Sequence, residues 1–166
     1  IAYVEVGVEI ARQCQAQNIA PEYLYLAALD TTQAGVALGL TYLESPITVR
    51  GFCPLPNIDD RHQDMANLAN QAARRLGLDT ELSATDFDND DTFVGEGYGL
   101  PSPEGLNALR TLARTEGILL DPVYTSKALA GLLAHVADGR LDGEAIFLHT
   151  GGSPALFAYA QDVLAG

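Results

Sequence analysis

Apolar residues recur along this chain in two spacings, one typical of helices and one typical of strands. A spacing of three to four residues predicts helices over residues 4–17, 33–43, 57–76, 102–116 and 126–138, and a last one from Pro154 to the C-terminus. The pattern is most regular in the third helix, whose apolar face carries Met65, Leu68, Ala69, Ala72 and Leu76. Gly77 then stands where helices commonly end.

Short apolar runs between these helices predict the strands of a sheet. They cover residues 23–27, 47–52, 119–120 and 145–148. Strands that alternate with helices over short connections are typical of a parallel sheet with helices on both faces. The pattern therefore predicts an α/β fold of three layers, αβα, with a mainly parallel sheet.

Three segments follow predicted strands and lead into helices, namely residues 28–33, 121–126 and 150–153. Ligands of such sheets bind beyond the carboxyl ends of the strands, and helix N-termini that meet there favour an anion. Ser, Thr, Asp and Gly also occur in these turns simply to cap helices. Both the binding and the structural interpretation stay open at this point.

Residues 86–91 form the one run of acidic side chains, Asp-Phe-Asp-Asn-Asp-Asp. Acids at every second position resemble the start of a calcium loop. The sixth position of that loop is Asp91 instead of Gly, and the twelfth is Gly97 instead of Glu. We therefore expect a solvated acidic loop and no metal site.

Composition narrows the class of protein. The 166 residues, of 17.6 kDa, match a single α/β domain over residues 1–166, and 48% apolar with 19% charged residues excludes a disordered chain. No apolar run is long enough for a membrane helix. A formal charge of −13 disfavours nucleic acid as a partner.

The start of the chain and its cysteines concern location. The opening Ile1-Ala2-Tyr3-Val4 has neither an initiator Met nor the pattern of a signal peptide, and it reads as the interior of a longer polypeptide. Cys14 and Cys53 are too few and too far apart for a disulfide scaffold or a metal knuckle. We expect both thiols to be buried and reduced in a cytoplasmic protein.

Three segments resemble one enzyme family. They are Glu-Gly-Ile-Leu-Leu-Asp-Pro-Val-Tyr-Thr-Ser-Lys-Ala at 116–128, Leu-His-Thr-Gly-Gly-Ser-Pro-Ala-Leu-Phe-Ala-Tyr at 148–159 and Gly-Tyr-Gly-Leu-Pro at 97–101. Their order and spacing are similar to those of the D-cysteine desulfhydrase and 1-aminocyclopropane-1-carboxylate (ACC) deaminase family. That resemblance implies the fold of tryptophan synthase β-like enzymes, with pyridoxal phosphate as cofactor and an amino-acid-like substrate.

The resemblance also implies roles for particular residues. Tyr98 and Tyr124 match two active-site tyrosines beside the cofactor ring, where a phenol of lowered pKa would act as acid, base or nucleophile. Thr150, with Gly151 next to it, would face the pyridine nitrogen with a neutral hydroxyl. The phosphate loop would fall on residues 28–33, with contacts from Thr31, Thr32 and Gln33. By contrast, we expect structural roles for His149 and Lys127.

The chain departs from this family in two ways. The lysine that holds the cofactor as a Schiff base lies in the part of the family sequence before Ile1, so this chain matches only the C-terminal, cofactor-domain part. The Gly- and Ser-rich phosphate loop is replaced by Ala-Leu-Asp-Thr-Thr at 28–32. Gly lets backbone N–H groups turn toward phosphate, whereas the Asp30 carboxylate would repel it.

Two classes of function remain open. The chain is either the C-terminal part, or a truncated relative, of a pyridoxal-phosphate lyase, inactive alone and with weak or absent cofactor binding. Alternatively, it is a non-catalytic α/β domain that binds a small anion or a protein partner. Because a partial domain leaves apolar surface bare, we expect a homodimer or association with the missing N-terminal polypeptide.

Overall fold

A parallel four-stranded sheet forms the middle layer of the computed structural model, which describes residues 1–165. Its strands are β1 (Tyr23–Ala27), β2 (Thr48–Phe52), β3 (Asp88–Asp90) and β4 (Ala145–Leu148). They lie in the order β3-β2-β1-β4, and every neighbouring pair is parallel. The carboxyl ends of all four strands therefore meet at one edge of the sheet.

Helices cover both faces of this sheet. They are α1 (Ala2–Gln17), α2 (Thr31–Tyr42), α3 (Arg61–Leu76), α4 (Pro103–Glu116), α5 (Thr125–Ala137) and the short α6 (Ala160–Leu164). Two 3₁₀ turns, Ala84–Asp86 and Ser153–Phe157, complete the regular structure of the described residues. In this part of the chain no helix is long and apolar enough to cross a membrane.

The alternation of side chains along β1 separates the two helical layers. Leu24 and Leu26 pack with the buried residues of α1, α2 and α3, whereas Tyr25 and Ala27 face Ala128 of α5. Successive side chains of a strand point to opposite faces, so one strand contributes to two cores. This arrangement confirms the predicted three-layer α/β fold with a parallel sheet.

Glycines allow α1 and α2 to approach each other at backbone distance. A Cβ added to Gly7 would lie 2.5 Å from the carbonyl oxygen of Val36, and one added to Gly39 would overlap the carbonyl oxygen of Val4. The small-residue composition of α2 follows from this contact, because all its residues from Gln33 to Leu40 are buried. α2 begins at Thr31, two residues before the predicted start.

The acidic run is a strand rather than the solvated loop that the sequence predicts. Asp88–Asp90 pairs with β2, and the side chain of Asn89 is buried between them. Its Nδ2 donates to the Gln33 side chain (2.7 Å) and to the carbonyl of Ala28 (3.2 Å). The alternating acids point outward around this one buried amide, and the exposed faces of an edge strand tolerate charge.

The predicted strand at 119–120 is wrong. The segment from Ile118 to Leu120 has no strand partner in the described chain, and only Leu120 is fully buried. The carbonyl of Leu119 instead accepts hydrogen bonds from the side chains of His149 (2.9 Å) and Ser153 (3.4 Å). The predicted last helix is also interrupted, since the second 3₁₀ turn and α6 are separated by residues 158–159.

Candidate active site

The predicted site residues lie in segments that follow the carboxyl ends of the strands. Thr31 opens α2 after β1, Tyr124 precedes α5, and Thr150 follows β4. Tyr98 lies in the long connection between β3 and α4. The parallel sheet therefore directs all four toward the same edge, which is where such folds bind ligands.

Tyr98 and Tyr124 contact each other directly. Their hydroxyl groups share a hydrogen bond, and their rings meet edge to face with centroids 6.0 Å apart. Both side chains keep solvent access, at 52% and 38% exposure. Two phenols that are joined and still open to solvent are positioned to act on a ligand at this edge.

The hydrogen bond from Tyr98, aided by partial burial and the negative charge of Asp121, raises the pKa of Tyr124 to about 12. This corrects the expectation of a lowered pKa. Tyr124 therefore keeps its proton at neutral pH and suits hydrogen-bond donation or general acid work better than base or nucleophile chemistry.

Asp121 organises the backbone around Tyr124. Its buried carboxylate accepts hydrogen bonds from the backbone N–H groups of Val123 and Tyr124 (both 2.8 Å) and of Thr125 (2.9 Å), and from the Thr125 hydroxyl (2.7 Å). A carboxylate there also neutralises the positive end of α5. The sequence analysis missed this residue, although an Asp two to four residues before a helix is a known turn signal.

The segment after β4 lies against Asp121. A Cβ added to Gly152 would lie 2.6 Å from the Asp121 Oδ1 atom, so only glycine permits this approach, and its φ of +90° also favours glycine. The Gly151 N–H donates to His149 Nδ1 (3.2 Å), and Thr150 is exposed between them. The structure thus brings the Tyr124 and Thr150 segments side by side, with His149 as a structural brace.

The segment before α2 departs from a phosphate site. The Asp30 side chain caps α2 by accepting the Thr31 backbone N–H, while Thr31 is exposed and Thr32 half-buried. The Gln33 side chain is fully buried, and its Nε2 donates to the carbonyls of Asp88 (2.7 Å) and Val49 (3.3 Å). Only the backbone N–H of Gln33 is therefore oriented for a role in anion binding, which corrects the expected side-chain contact.

The largest groove among the described residues lies elsewhere. It measures about 660 Å³ and is lined mainly by α1, together with Tyr42, Leu76 and Leu78. None of its lining residues belongs to the segments at the carboxyl edge of the sheet. The candidate site is consequently defined by its chemistry and its position in the fold rather than by cavity size.

Comparison with known proteins supports this placement of the site. The model of the family described as "Pyridoxal-phosphate dependent enzyme" matches residues 1–151. The chain belongs to this family. Pyridoxal-phosphate enzymes use an edge of the sheet for their cofactor, as ligand sites of open α/β folds do.

Solved structures extend the comparison. An ACC deaminase homologue is 30% identical with a TM-score of 0.82, and the match covers 96% of this chain and 48% of that one. A threonine deaminase from the organism abbreviated T.th. (20% identity, TM-score 0.55) is matched over 90% of this chain and 56% of its own. For the processed threonine deaminase isoform 2 of Solanum lycopersicum, the values are 13%, 0.60, 98% and 48%. The chain thus spans about half the length of these relatives.

The residues fit pyridoxal phosphate unevenly. On the ring side, two exposed phenols and the neighbouring Thr150 hydroxyl offer stacking and hydrogen bonds. On the phosphate side, the Asp30 carboxylate occupies the N-terminus of α2 that an anion needs. The described residues therefore provide a ring site without a matching phosphate site.

Proposed function

We propose that this chain is the C-terminal, cofactor-domain part of a pyridoxal-phosphate-dependent lyase or deaminase related to D-cysteine desulfhydrase and ACC deaminase. The single observation that carries the proposal is the hydrogen-bonded pair Tyr98–Tyr124 beside the Thr150 segment. The 30% identity with an ACC deaminase homologue over 96% of the chain supports it. The substrate would be a small amino acid.

In this proposal each residue of the chain has a limited task. Pyridoxal phosphate, when bound, withdraws electrons from the substrate carbon skeleton. Tyr124 holds a proton on its phenol oxygen at neutral pH, and Tyr98 orients that proton through their shared hydrogen bond. Thr150 offers a neutral hydroxyl to the pyridine nitrogen, and Gly151 leaves room for the ring next to it.

A second polypeptide segment must complete the site. The chain's single lysine, Lys127, is 2% exposed and engaged with backbone carbonyls, which makes it unsuited to holding the cofactor. We infer that the described half alone neither binds pyridoxal phosphate tightly nor catalyses. Association with an N-terminal segment or with a second copy of the chain would cover exposed apolar residues such as Phe157 and Leu164, at 87% and 81% exposure.

One observation favours a second candidate function. The Asp30 cap gives α2 an internal anion at the position of the family phosphate loop, which a domain without a cofactor would retain at no cost. In that case the chain is a non-catalytic α/β domain that binds a protein partner or a small anion at another place on its surface.

The test compares this chain alone with the chain fused behind the N-terminal half of the ACC deaminase homologue. Pyridoxal phosphate is added, and the cofactor absorbance band and ammonia release from small amino acids are measured. We expect a bound cofactor and turnover in the fusion only. The matched Tyr98→Phe, Tyr124→Phe double variant should keep the band and lose the turnover. A folded fusion that shows no band would contradict the proposal and favour the non-catalytic domain.

A further inference from the structure

Lys127 stands at a costly position for a cation. It is the only lysine in the chain, lies in the first turn of α5 and is 2% exposed. The N-terminus of a helix carries partial positive charge, and burial removes the hydration of the ammonium group. Burial accordingly lowers the pKa of Lys127, and the negative charge of Asp121 opposes this shift.

The ammonium group of Lys127 is committed to one turn of the backbone. Its Nζ atom donates to the carbonyl oxygens of Val94 (2.6 Å) and Gly97 (3.2 Å). The aliphatic part of the side chain passes α4 at Gly105, where an added Cβ would lie 3.4 Å from Lys127 Cγ. The side chain thus spans from α5 under α4 to the turn at 94–97.

That turn leads directly into the tyrosine pair. Tyr98 follows Gly97, and its hydroxyl meets that of Tyr124, which immediately precedes α5. On the far side of Tyr98, the Tyr159 hydroxyl donates to the carbonyl of Gly99 (2.7 Å). Tyr98 is therefore held between two side-chain contacts to backbone, of which Lys127 supplies the one that starts from the same helix end as Tyr124.

We propose that Lys127 is a positioning residue, which fixes Tyr98 against Tyr124 by holding the carbonyls of Val94 and Gly97. The catalytic meaning of this role rests on the proposed function of the tyrosine pair. The contact itself does not, because it is defined by the described chain alone. A single buried ammonium would thus link the end of α5 to the turn that carries Tyr98.

The test reads the ionisation of Tyr124 in the Lys127→Met variant. With the turn released, Tyr98 no longer bonds to Tyr124, and the pKa of Tyr124 should fall from about 12 toward its ordinary value of 10. At pH 10.5 the ionised fraction then rises from about 3% to about three quarters. Tyrosine labelled with ¹³C at Cζ reports this fraction by NMR, the Tyr124→Phe variant assigns the resonance, and circular dichroism verifies folding.

Ser126→Ala is the matched control. Ser126 is buried next to Lys127 on the same helix turn, and its hydroxyl has no hydrogen-bond partner in the described chain. Its removal should leave the ionisation of Tyr124 unchanged. In a Tyr98→Phe background, Lys127→Met should also have no further effect, since neighbouring contributions in one network are not additive.

An unchanged Tyr124 ionisation in folded Lys127→Met would overturn the proposal, as would an equal change in Ser126→Ala. If Lys127→Met does not fold, Lys127→Gln replaces it in the same comparison. In the unsubstituted protein, the one lysine ¹⁵Nζ resonance should exchange slowly with water, and rapid exchange would equally overturn the proposal. These readouts need no cofactor, so failure of the proposed function, measured by the absorbance of the fusion, is a separate result.

Discussion

The hydroxyl groups of Tyr98 and Tyr124 share a hydrogen bond although the two residues lie 26 positions apart in the sequence. The bond joins the turn before α4 to the start of α5, across a helix of 14 residues. It also couples the two phenols electrically, because ionising one of them deprives the other of a donor. The pair thus behaves as one titrating unit.

The first prediction concerns this pair at alkaline pH. A folded-state pKa above that of the unfolded chain stabilises the fold below pH 10, and this contribution is lost as pH rises from 10 toward 12. Tyr98→Phe removes the main cause of the shift. Urea unfolding of the variant should therefore show a weaker loss of stability across this pH range than the unsubstituted protein, and an equal loss would contradict the assigned cause.

The second prediction concerns Asp30. Asp30→Gly should strengthen binding of pyridoxal phosphate or inorganic phosphate, because it opens the N-terminus of α2 and removes a repelling charge. The cost in stability should be only a few tenths of a kcal/mol, since glycine is an acceptable N-cap. Calorimetric titration measures the affinity.

Two further variants separate the causes at this position. Asp30→Asn keeps a capping side chain and removes the charge, whereas Asp142→Asn removes one charge from an exposed loop. A gain in Asp30→Gly alone would identify the cap as the obstacle, and a gain also in Asp30→Asn would identify the charge. Micromolar binding of pyridoxal phosphate to the unsubstituted chain would show that Asp30 does not close the site.

A third prediction tests the contact of α1 with α2. Gly39→Ala should lower the free energy of unfolding by about 1–3 kcal/mol, because its Cβ overlaps the backbone of α1 and not a side chain that can move. This loss exceeds the gain of about 1 kcal/mol that alanine brings to a helix interior. Gly143→Ala is the control, since its nearest neighbour lies 3.8 Å away. Equal stabilities of the two variants would refute the close contact.

The fourth prediction follows from buried His135. Its Nδ1 contacts the Tyr25 hydroxyl (3.1 Å) and Arg50 (3.5 Å), and burial, with Arg140 and Arg50 adding to it, lowers the pKa of His135 against weaker opposition from Asp90 and Asp88. The unfolded chain therefore takes up a proton at this residue more readily than the folded one, and stability falls as pH drops below 6.5.

Urea unfolding at pH 7 and pH 5 measures this effect. The part of the pH dependence that belongs to the buried imidazole should disappear in His135→Gln and persist in His62→Gln, which changes a half-buried histidine of α3. If His135→Gln keeps the full acid dependence, other groups account for it.

Local sequence patterns were sufficient for the main helices and two of the strands. The apolar stripe ending at Gly77 predicted α3, and Gly77 indeed has the left-handed conformation of a helix end. β1 is predicted to the residue, and β2 to within one residue. The same motifs singled out Tyr98 and Tyr124, which the fold then brings into contact.

Only tertiary structure decided which short segments became strands. Asn89 makes β3 part of the sheet because its amide pairs with Gln33 and Ala28, residues far away in sequence, whereas the more apolar segment at 118–120 gives the Leu119 carbonyl to His149 and Ser153. A strand needs a partner for its backbone, and hydrophobicity alone does not supply one. Asp121 and Lys127 were hidden for the same reason: their roles consist of contacts to backbone groups that come near them only in the folded chain.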